Sequence, residues 1–401
     1  MPWSLRMTLM LASVGLVFHF YVARKAIFAI ADLTRWPKKY VRSGVILFFL
    51  WLVLYPLVLT ASYYLGFAGV FRAIQRPGAL SDALLVYPFW LGLVLSVQVT
   101  FFFLLMDIAG FLISTLYRQQ RARWQKIQPW LVIALIGIGV IYVIARVYND
   151  TLTVRTVERE ARIANLPQEL DGFRIAHIAD LQADVRTNGS KLQAYVDAVN
   201  RLNPDLILFG GDLVTSGPDF IETGAQAIGK MRAEHGIYAC LGDHDHFSDR
   251  ERVTRSLESN GVNVLDNLAA VVPVGTTHLS LTGITNVYRT RPGNGTLEAI
   301  EQQRVKGPVS VMLTHQPSPW LVEYALERGY DLFLAGHTHG GQIVFPLPGF
   351  LLTGSSFETP YVTGFYCVGK LLVSVNNGLG LTLAPIRYHA PAEVTLIRLK
   401  K

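Results

Sequence analysis

Residues 332–342 read LFLAGHTHGGQ: a buried-type run, Leu332–Ala335, stops at a glycine and delivers His337 and His339 two positions apart, with more glycines behind them. The same construction recurs along the chain. FRIAHIADLQ ends on Asp180 and Gln182, DLILFGGD on Asp212, GIYACLGDHD on Asp243, His244 and Asp245, and VSVMLTHQ on His315. Carboxylate, imidazole and amide oxygen are ligands for hard or borderline divalent cations. Alternate strand positions share a face, so Asp180 with Gln182, and His337 with His339, are each expected to form a pincer. The surrounding glycines are expected to clear space, so that a cation and a bulky anion can reach the backbone. One histidine on an apolar strand is ordinarily a core residue. Five strand ends with ligand-type residues point instead to one convergent site at the carboxyl edge of a sheet.

The elements that must position these residues alternate from about residue 151 onward. Strands are expected at 173–180, 205–212, 236–245, 279–286, 309–316 and 331–339. KLQAYVDAVNRL puts Leu192, Val196, Val199 and Leu202 on one helical face, closed by Asn203-Pro204. Ser248 with Glu251 reads as a capping box and Gly261 as the stop of that helix. SPWLVEYALERG is a further helix ending at Gly329, and Gly293–Gly295 in RPGNGT reads as a turn. Three later strands, around YVTGFYCVG, KLLVSVN and AEVTLIRL, have no helices between them. The pattern predicts α/β architecture, with two sheets packed together and helices outside. Cys240 and Cys367 both lie in apolar runs and read as buried thiols.

The preceding residues have another character. The chain has 401 residues, 51% of them hydrophobic, and a net charge of +7. Apolar stretches at 7–30, 44–66, 84–117 and 130–148 predict four membrane helices, so the expected division is 1–150 for a transmembrane region and 151–401 for a catalytic domain. The first connection holds Arg24, Lys25, Arg35, Lys38, Lys39 and Arg42, and the third Arg118, Arg121, Arg123 and Lys126. Positive connections stay in the cytoplasm, which predicts a multi-pass protein with an extracytoplasmic catalytic domain. Arg146, Arg155, Arg159 and Arg162 oppose that bias. Asp107, an acid within the third stretch, is a functional candidate. No nucleic-acid motif accompanies the positive charge.

The blocks Asp180-Leu181-Gln182, Gly211-Asp212, Gly242-Asp243-His244-Asp245, His315 and Gly336-His337-Thr338-His339 resemble, in order and spacing, the calcineurin-like metallophosphoesterase superfamily. The GHTHGGQ form, the tail VSVNNGLGLTLAPIRYHAPAEVTLIRL and the apolar N-terminus are similar to its membrane-anchored branch, including UDP-diacylglucosamine pyrophosphatase-type enzymes and transmembrane metallophosphoesterases. The resemblance implies a two-sheet αββα sandwich, here preceded by a four-helix transmembrane region. It implies two divalent ions: one held by Asp180, Gln182, Asp212 and His339, the other by Asp212, Asp243, His315 and His337, with Asp212 bridging. His244, steered by Asp245, would stabilise or protonate the leaving oxygen. Gln182 stands where the family pattern has histidine, and Asp243 where it has asparagine. Oxygen in place of nitrogen favours manganese, with magnesium, iron(II) or zinc as alternatives. The extra carboxylate lowers the charge of the site and favours a diester or diphosphate over a monoester.

His246, Gln342 and Arg387 are further candidates, for substrate binding, and Asn376 a comparable one; His177 reads as structural. The expected function is hydrolysis of a phosphoester or pyrophosphate bond by a metal-dependent enzyme held at the membrane, on a lipid-linked substrate. Its partners would be a phosphorylated small molecule or lipid and the membrane lipids, with no nucleic acid and no protein partner. Two alternatives stay open: a nucleotide or cyclic-nucleotide phosphodiesterase acting on a soluble substrate, and a metal-binding membrane sensor with weakened catalysis.

Overall fold

The computed structural model describes residues 1–76, 78–347 and 349–401. The chain divides into two compact units, Met1–Tyr148 with Leu383–Pro385, and Asn149–Thr382 with Ile386–Lys401.

The first unit is helical: α1 (Trp3–Thr34), α2 (Lys38–Leu52), α3 (Leu54–Tyr64), α4 (Ala68–Gln75), α5 (Ala79–Ser81) leading through a π turn into α6 (Tyr87–Leu116), and α7 (Arg121–Leu152). Three stretches, Trp3–Thr34, Ala79–Leu116 and Arg118–Leu152, have the length and apolarity to cross a bilayer. α2 and α3 make a fourth only as a pair bent by 52°. The expected span at 44–66 is therefore broken at Val53. Pro56 explains the break, because its ring excludes the carbonyl four residues back, at Leu52. Arg24 and Lys25, expected in the first connection, lie inside α1. Lys25 pairs with Asp107 on α6, whose other oxygen accepts from the Tyr21 hydroxyl at 2.6 Å. Asp107 thus joins two helices.

The second unit is built from strand parity. One six-stranded sheet has the order β1 (Val154–Arg162), β14 (Ala392–Lys400), β2 (Arg174–Ile178), β3 (Leu206–Phe209), β4 (Ile237–Ala239), β5 (Val262–Val264). The other has the order β12 (Gly364–Val368), β13 (Leu371–Val375), β9 (Leu332–Ala335), β8 (Val309–Thr314), β7 (Thr277–Ile284), β6 (Leu268–Val274). Ile175, Leu206 and Leu208 of the first sheet meet Val311, Leu313, Leu332 and Leu334 of the second in an inter-sheet core. Their neighbours Ala176, Ile207 and Phe209 turn the other way, onto α8 (Gly189–Arg201), α9 (Ile221–Gly229) and α11 (Arg250–Ser259). Met312 and Phe333 likewise face α12 (Asn294–Gln303) and α13 (Pro319–Glu327). The period-two side-chain pattern thus produces the αββα layering.

Several local expectations change. β1 went unread because VRTVEREAR is a mostly exposed edge strand with no apolar run. Ser248 lies within a short helix, α10 (Asp243–Ser248), so Asp249 caps α11 instead, accepting from the Arg252 N–H at 3.1 Å. Gly293 is an N-cap rather than part of a turn, since α12 starts at Asn294. Cys240 is buried as expected, but Cys367 is exposed, on the edge strand β12 of its sheet.

Candidate metal centre

Each ligand-type residue lies past its strand, not in it. β2 stops at Ile178 and β9 at Ala335, two residues short of Asp180 and His337. Asp180, Gln182, Asp212, His337 and His339 all have left-handed backbone, with φ between 50° and 72°. Strand alternation therefore does not make the pincers; tight loops do. The loops after β2 and β3 are stitched together, with Asp180 N–H donating to the Gly211 carbonyl at 2.9 Å and Gln182 N–H to the Asp212 carbonyl at 3.0 Å. Non-glycine residues held this way cost about 1–3 kcal/mol each and gather at functional sites. The GDHD block, expected at a strand end, opens helix α10 instead. Its glycine makes room for the Asp212 carboxylate: a Cβ at Gly242 would fall 2.1 Å from Asp212 Oδ1. At Gly336 it would fall 2.5 Å from Asp180 Oδ2.

The loops bring together two groups able to hold a cation, Asp180 with Asp212 and His315, and Asp243 with His315 and His337. His315 is common to both, its Nε2 lying 3.4 Å from Asp212 Oδ2 and 3.5 Å from Asp243 Oδ2. Its Nδ1 is 2.8 Å from the Gly210 carbonyl. A carbonyl only accepts, so Nδ1 carries the proton and Nε2 turns to the carboxylates, the orientation a ligand needs. His337 Nδ1 lies 3.0 Å from Asp243 Oδ2, and His339 Nε2 lies 3.5 Å from Asp180 Oδ1. The two histidines of GHTHGG thus face different groups.

The donor set suits divalent cations on independent grounds. Gln182 gives its amide N–H to Asp212 Oδ2 at 2.9 Å, while its Oε1 is a buried acceptor with no hydrogen-bond partner. Burial pushes the Asp180 carboxyl up to about 6. At His315 burial opposes the charged ring, but Asp212, Asp180 and Asp243 outweigh it and raise the imidazole well above its usual range. Burial, with Arg387 adding to it, holds His339 well below that range and therefore neutral. A field that captures a proton between three carboxylates would capture a cation in its place.

The remaining expectations divide. His244 Nδ1 meets the Thr215 carbonyl, and its Nε2 lies 3.9 Å from Asp212 Oδ2. The Thr215 carbonyl thus orients the ring at Nδ1. The carboxylate of Asp245 accepts three backbone N–H bonds, from Asp212 and Gly242 at 2.9 Å and from Leu213 at 2.8 Å. It is a clamp between two ligand loops. Arg387 is fully buried and donates to the carbonyls of His339, Asn377, Gly378, Gly380 and Ala390, so it has no face for a phosphate. Gln342 is buried too, its amide spent on the Thr382 N–H and the Ile386 carbonyl. Asn376 bonds the His177 carbonyl and Thr395 Oγ1. His246 is half-buried on α10, three residues past Asp243.

Three residues at the site escaped the sequence reading. Glu358 Oε1 lies 3.0 Å from His337 Nε2 and accepts from the Tyr288 hydroxyl at 2.7 Å. Gln316 Nε2 donates to Asp243 Oδ2 at 2.8 Å, and the Tyr288 N–H to Asp243 Oδ1 at 2.6 Å. Gln316 follows His315 directly, and that adjacency was the only signal; Glu358 and Tyr288 stand in no block. With Glu358, the carboxylates around the two groups number four rather than three.

Residues 173–341 match the family model described as calcineurin-like phosphoesterase. The chain carries a calcineurin-like metallophosphoesterase domain. It is 33% identical over 284 residues to a transmembrane protein with metallophosphoesterase domain from Danio rerio, an alignment covering 67% of this chain. The chain spans 62% of the length of that relative. An uncharacterized metallophosphoesterase of Bacillus subtilis, YkuE, is 28% identical, with 63% of this chain and 88% of that protein covered. The phosphodiesterase YaeI of Escherichia coli is 27% identical, with 59% and 86% covered. The matched residues thus include Asp180, Gln182, Asp212, Asp243, His315, His337 and His339, while Glu358 follows them and the apolar helices precede them.

Proposed function

We propose that this domain hydrolyses a phosphodiester or diphosphate bond at a dinuclear centre, on a substrate linked to a lipid. The single observation that carries the proposal is the setting of His315, whose Nε2 stands between Asp212 and Asp243 while Nδ1 is tied to a carbonyl. In the proposal one ion is held by Asp180, Gln182, Asp212 and His339, and the other by Asp212, Asp243, His315 and His337. When bound, the ions, manganese first, supply Lewis acidity toward phosphoryl oxygen and lower the pKa of water. The chain's own residues do the rest. Asp245 and Arg387 hold the ligand loops. His244, whose Nδ1 proton is committed to Thr215, presents Nε2 and in its protonated form can donate to a leaving oxygen. The four carboxylates leave two divalent ions no excess positive charge, which favours an ester of low charge over a monoester dianion.

The lipid-linked substrate is supported by the apolar helices of the same chain. One observation favours a nucleotide instead: a cleft of about 120 Å³ beside His337 is lined by Tyr288, Arg291 and Trp320, groups suited to a planar ring and a phosphate. The test uses the full chain in detergent, stripped with chelator and reloaded with manganese, magnesium or zinc. Two ions per chain and turnover of a bis-nitrophenyl ester are expected, with lipid diphosphates preferred over nucleotides. Asp212→Asn should lose activity and most of the metal; two ions per chain in that variant would sink the bridging role. A reporter active only outside the cytoplasm, fused after Lys401, tests the extracytoplasmic placement.

A further inference from the structure

Directly behind the GHTHGGQ loop the chain runs IVFPLPGFLLTGSSF, residues 343–357, without one charged side chain. Two short strands, β10 (Phe345–Leu347) and β11 (Phe350–Leu352), pair there as an antiparallel ribbon that joins neither six-stranded sheet. Such a ribbon is marginal in water unless something covers it. Phe350 is 58% exposed, Leu352 37% and Phe357 87%, and Tyr288 beside them is 58% exposed. Elsewhere in the domain, among the described residues, the large apolar side chains this exposed are only Leu152 at the end of α7, Phe247, Leu268, Val271 and Val305, so the concentration after the metal loop is a local feature. The ribbon is also anchored to that loop. Thr353 Oγ1 donates to the Gly341 carbonyl at 2.8 Å, Ser355 Oγ to the Thr338 carbonyl at 3.1 Å, and Glu358 faces His337.

We propose that the β10–β11 ribbon and its return to Phe357 are a bilayer-docking element that seats the metal loop against lipid. The chain itself supplies the reason for choosing a bilayer as the occupant. Its candidate spans are covalently attached, and Thr153 alone separates the end of α7 from β1, so lipid is present at high effective concentration. Uncharged Phe and Leu side chains partition into the headgroup and acyl boundary without desolvating an ion. A second copy adding a strand is disfavoured, because Pro346 in β10 has no N–H for such pairing. The inference goes beyond hydrolysis and does not depend on it. A docked ribbon would nonetheless bring a lipid headgroup next to His337.

The test uses the full chain in lipid nanodiscs on a Cys367→Ser background, which leaves only the buried Cys240 thiol. Phe350→Cys and, separately, Phe357→Cys carry an environment-sensitive fluorophore, and Val305→Cys, 54% exposed in the wild type, is the control. Nitroxides on the lipid acyl chains should quench both ribbon labels several-fold more than the control, and aqueous iodide should do the reverse. The result holds whether or not the chain hydrolyses anything. Equal iodide access at all three positions with no lipid quenching would overturn the proposal. Iodide protection that appears only with more than one chain per disc would overturn it too, in favour of contact between copies.

Discussion

The side-chain amide of Gln316 donates to Oδ2 of Asp243 at 2.8 Å, while the backbone N–H of Tyr288 donates to Oδ1 at 2.6 Å. Both oxygens of Asp243 are therefore committed to donors, and His337 Nδ1 adds a third contact at 3.0 Å. The carboxylate at this position is fitted to its surroundings. An asparagine offers one acceptor and one donor, so it meets either Gln316 or Tyr288 donor to donor until the Gln316 amide turns over. Asp243→Asn should weaken manganese binding by about 1–2 kcal/mol, roughly tenfold, as a charged acceptor becomes neutral. It should also raise the ratio of monoester to diester turnover. Titration calorimetry with manganese checks the first and parallel rates on two nitrophenyl esters the second. Unchanged affinity would mean that Asp243 does not face a cation.

The second carboxylate of that neighbourhood predicts a selective loss. Glu358 faces His337 Nε2 at 3.0 Å and has no part in the Asp180 group. Outer partners of a ligand histidine are worth about 10–100-fold in metal affinity. Glu358→Gln should lower the affinity of one ion by that factor and leave the other near its wild-type value, giving a two-step isotherm. Equal weakening of both steps would show that Glu358 acts on the fold rather than through His337.

His244 and Asp245 are adjacent and should fail differently. His244→Ala removes a group aimed at the site, so turnover should drop by about a hundredfold or more with poor leaving groups. The loss should be smaller with nitrophenol, and metal content should stay near normal. Asp245→Asn instead releases part of a clamp on three backbone N–H groups. It should destabilise the metal-free chain by about 1–3 kcal/mol in denaturant titrations and lower metal content. An Asp245 variant with wild-type stability and a His244-like leaving-group profile would return Asp245 to the role of steering His244.

Acid stability should carry the signature of one buried ring. His177 sits between the sheets with Nδ1 3.3 Å from Ser374 Oγ and Nε2 unpartnered, and burial lowers it to about 3, against an ordinary 6.5. Between those values the unfolded chain takes up a proton that the native chain does not. The contribution is whole above pH 6.5 and is lost as pH falls toward 3, by up to about 1.4 kcal/mol per pH unit. His177→Gln should flatten the fall of the denaturant midpoint between pH 6.5 and 4. Parallel curves for the two proteins would mean that the ring is protonated in the native state.

The five blocks of ligand-type residues, and the order of strands and helices that carries them, are legible in one dimension. Period-two alternation in β2, β3, β8 and β9 sorts residues such as Ile175 and Ala176 onto opposite faces wherever sheets are covered on both sides. Apolar runs of span length announce the first unit, although the bend at Pro56 depends on one residue that hydropathy averages away. What the tertiary structure decided is how the blocks are held. A left-handed turn at Asp180 or His337 depends on a neighbouring group that bonds its backbone, and that partner lies far along the chain, as Gly211 lies 31 residues from Asp180. The same holds for Glu358, Tyr288 and Gln316, which reach the site through packing rather than spacing. Arg387 in APIRYH reads as a candidate phosphate ligand because the charge of an arginine does not say in sequence what the side chain meets. Only burial, with five carbonyls around its guanidinium, turns it into a structural clamp. Sequence determines which chemistry the residues could perform, since donor type is a property of the side chain. Orientation is a property of the surroundings, and those exist only once the chain has folded.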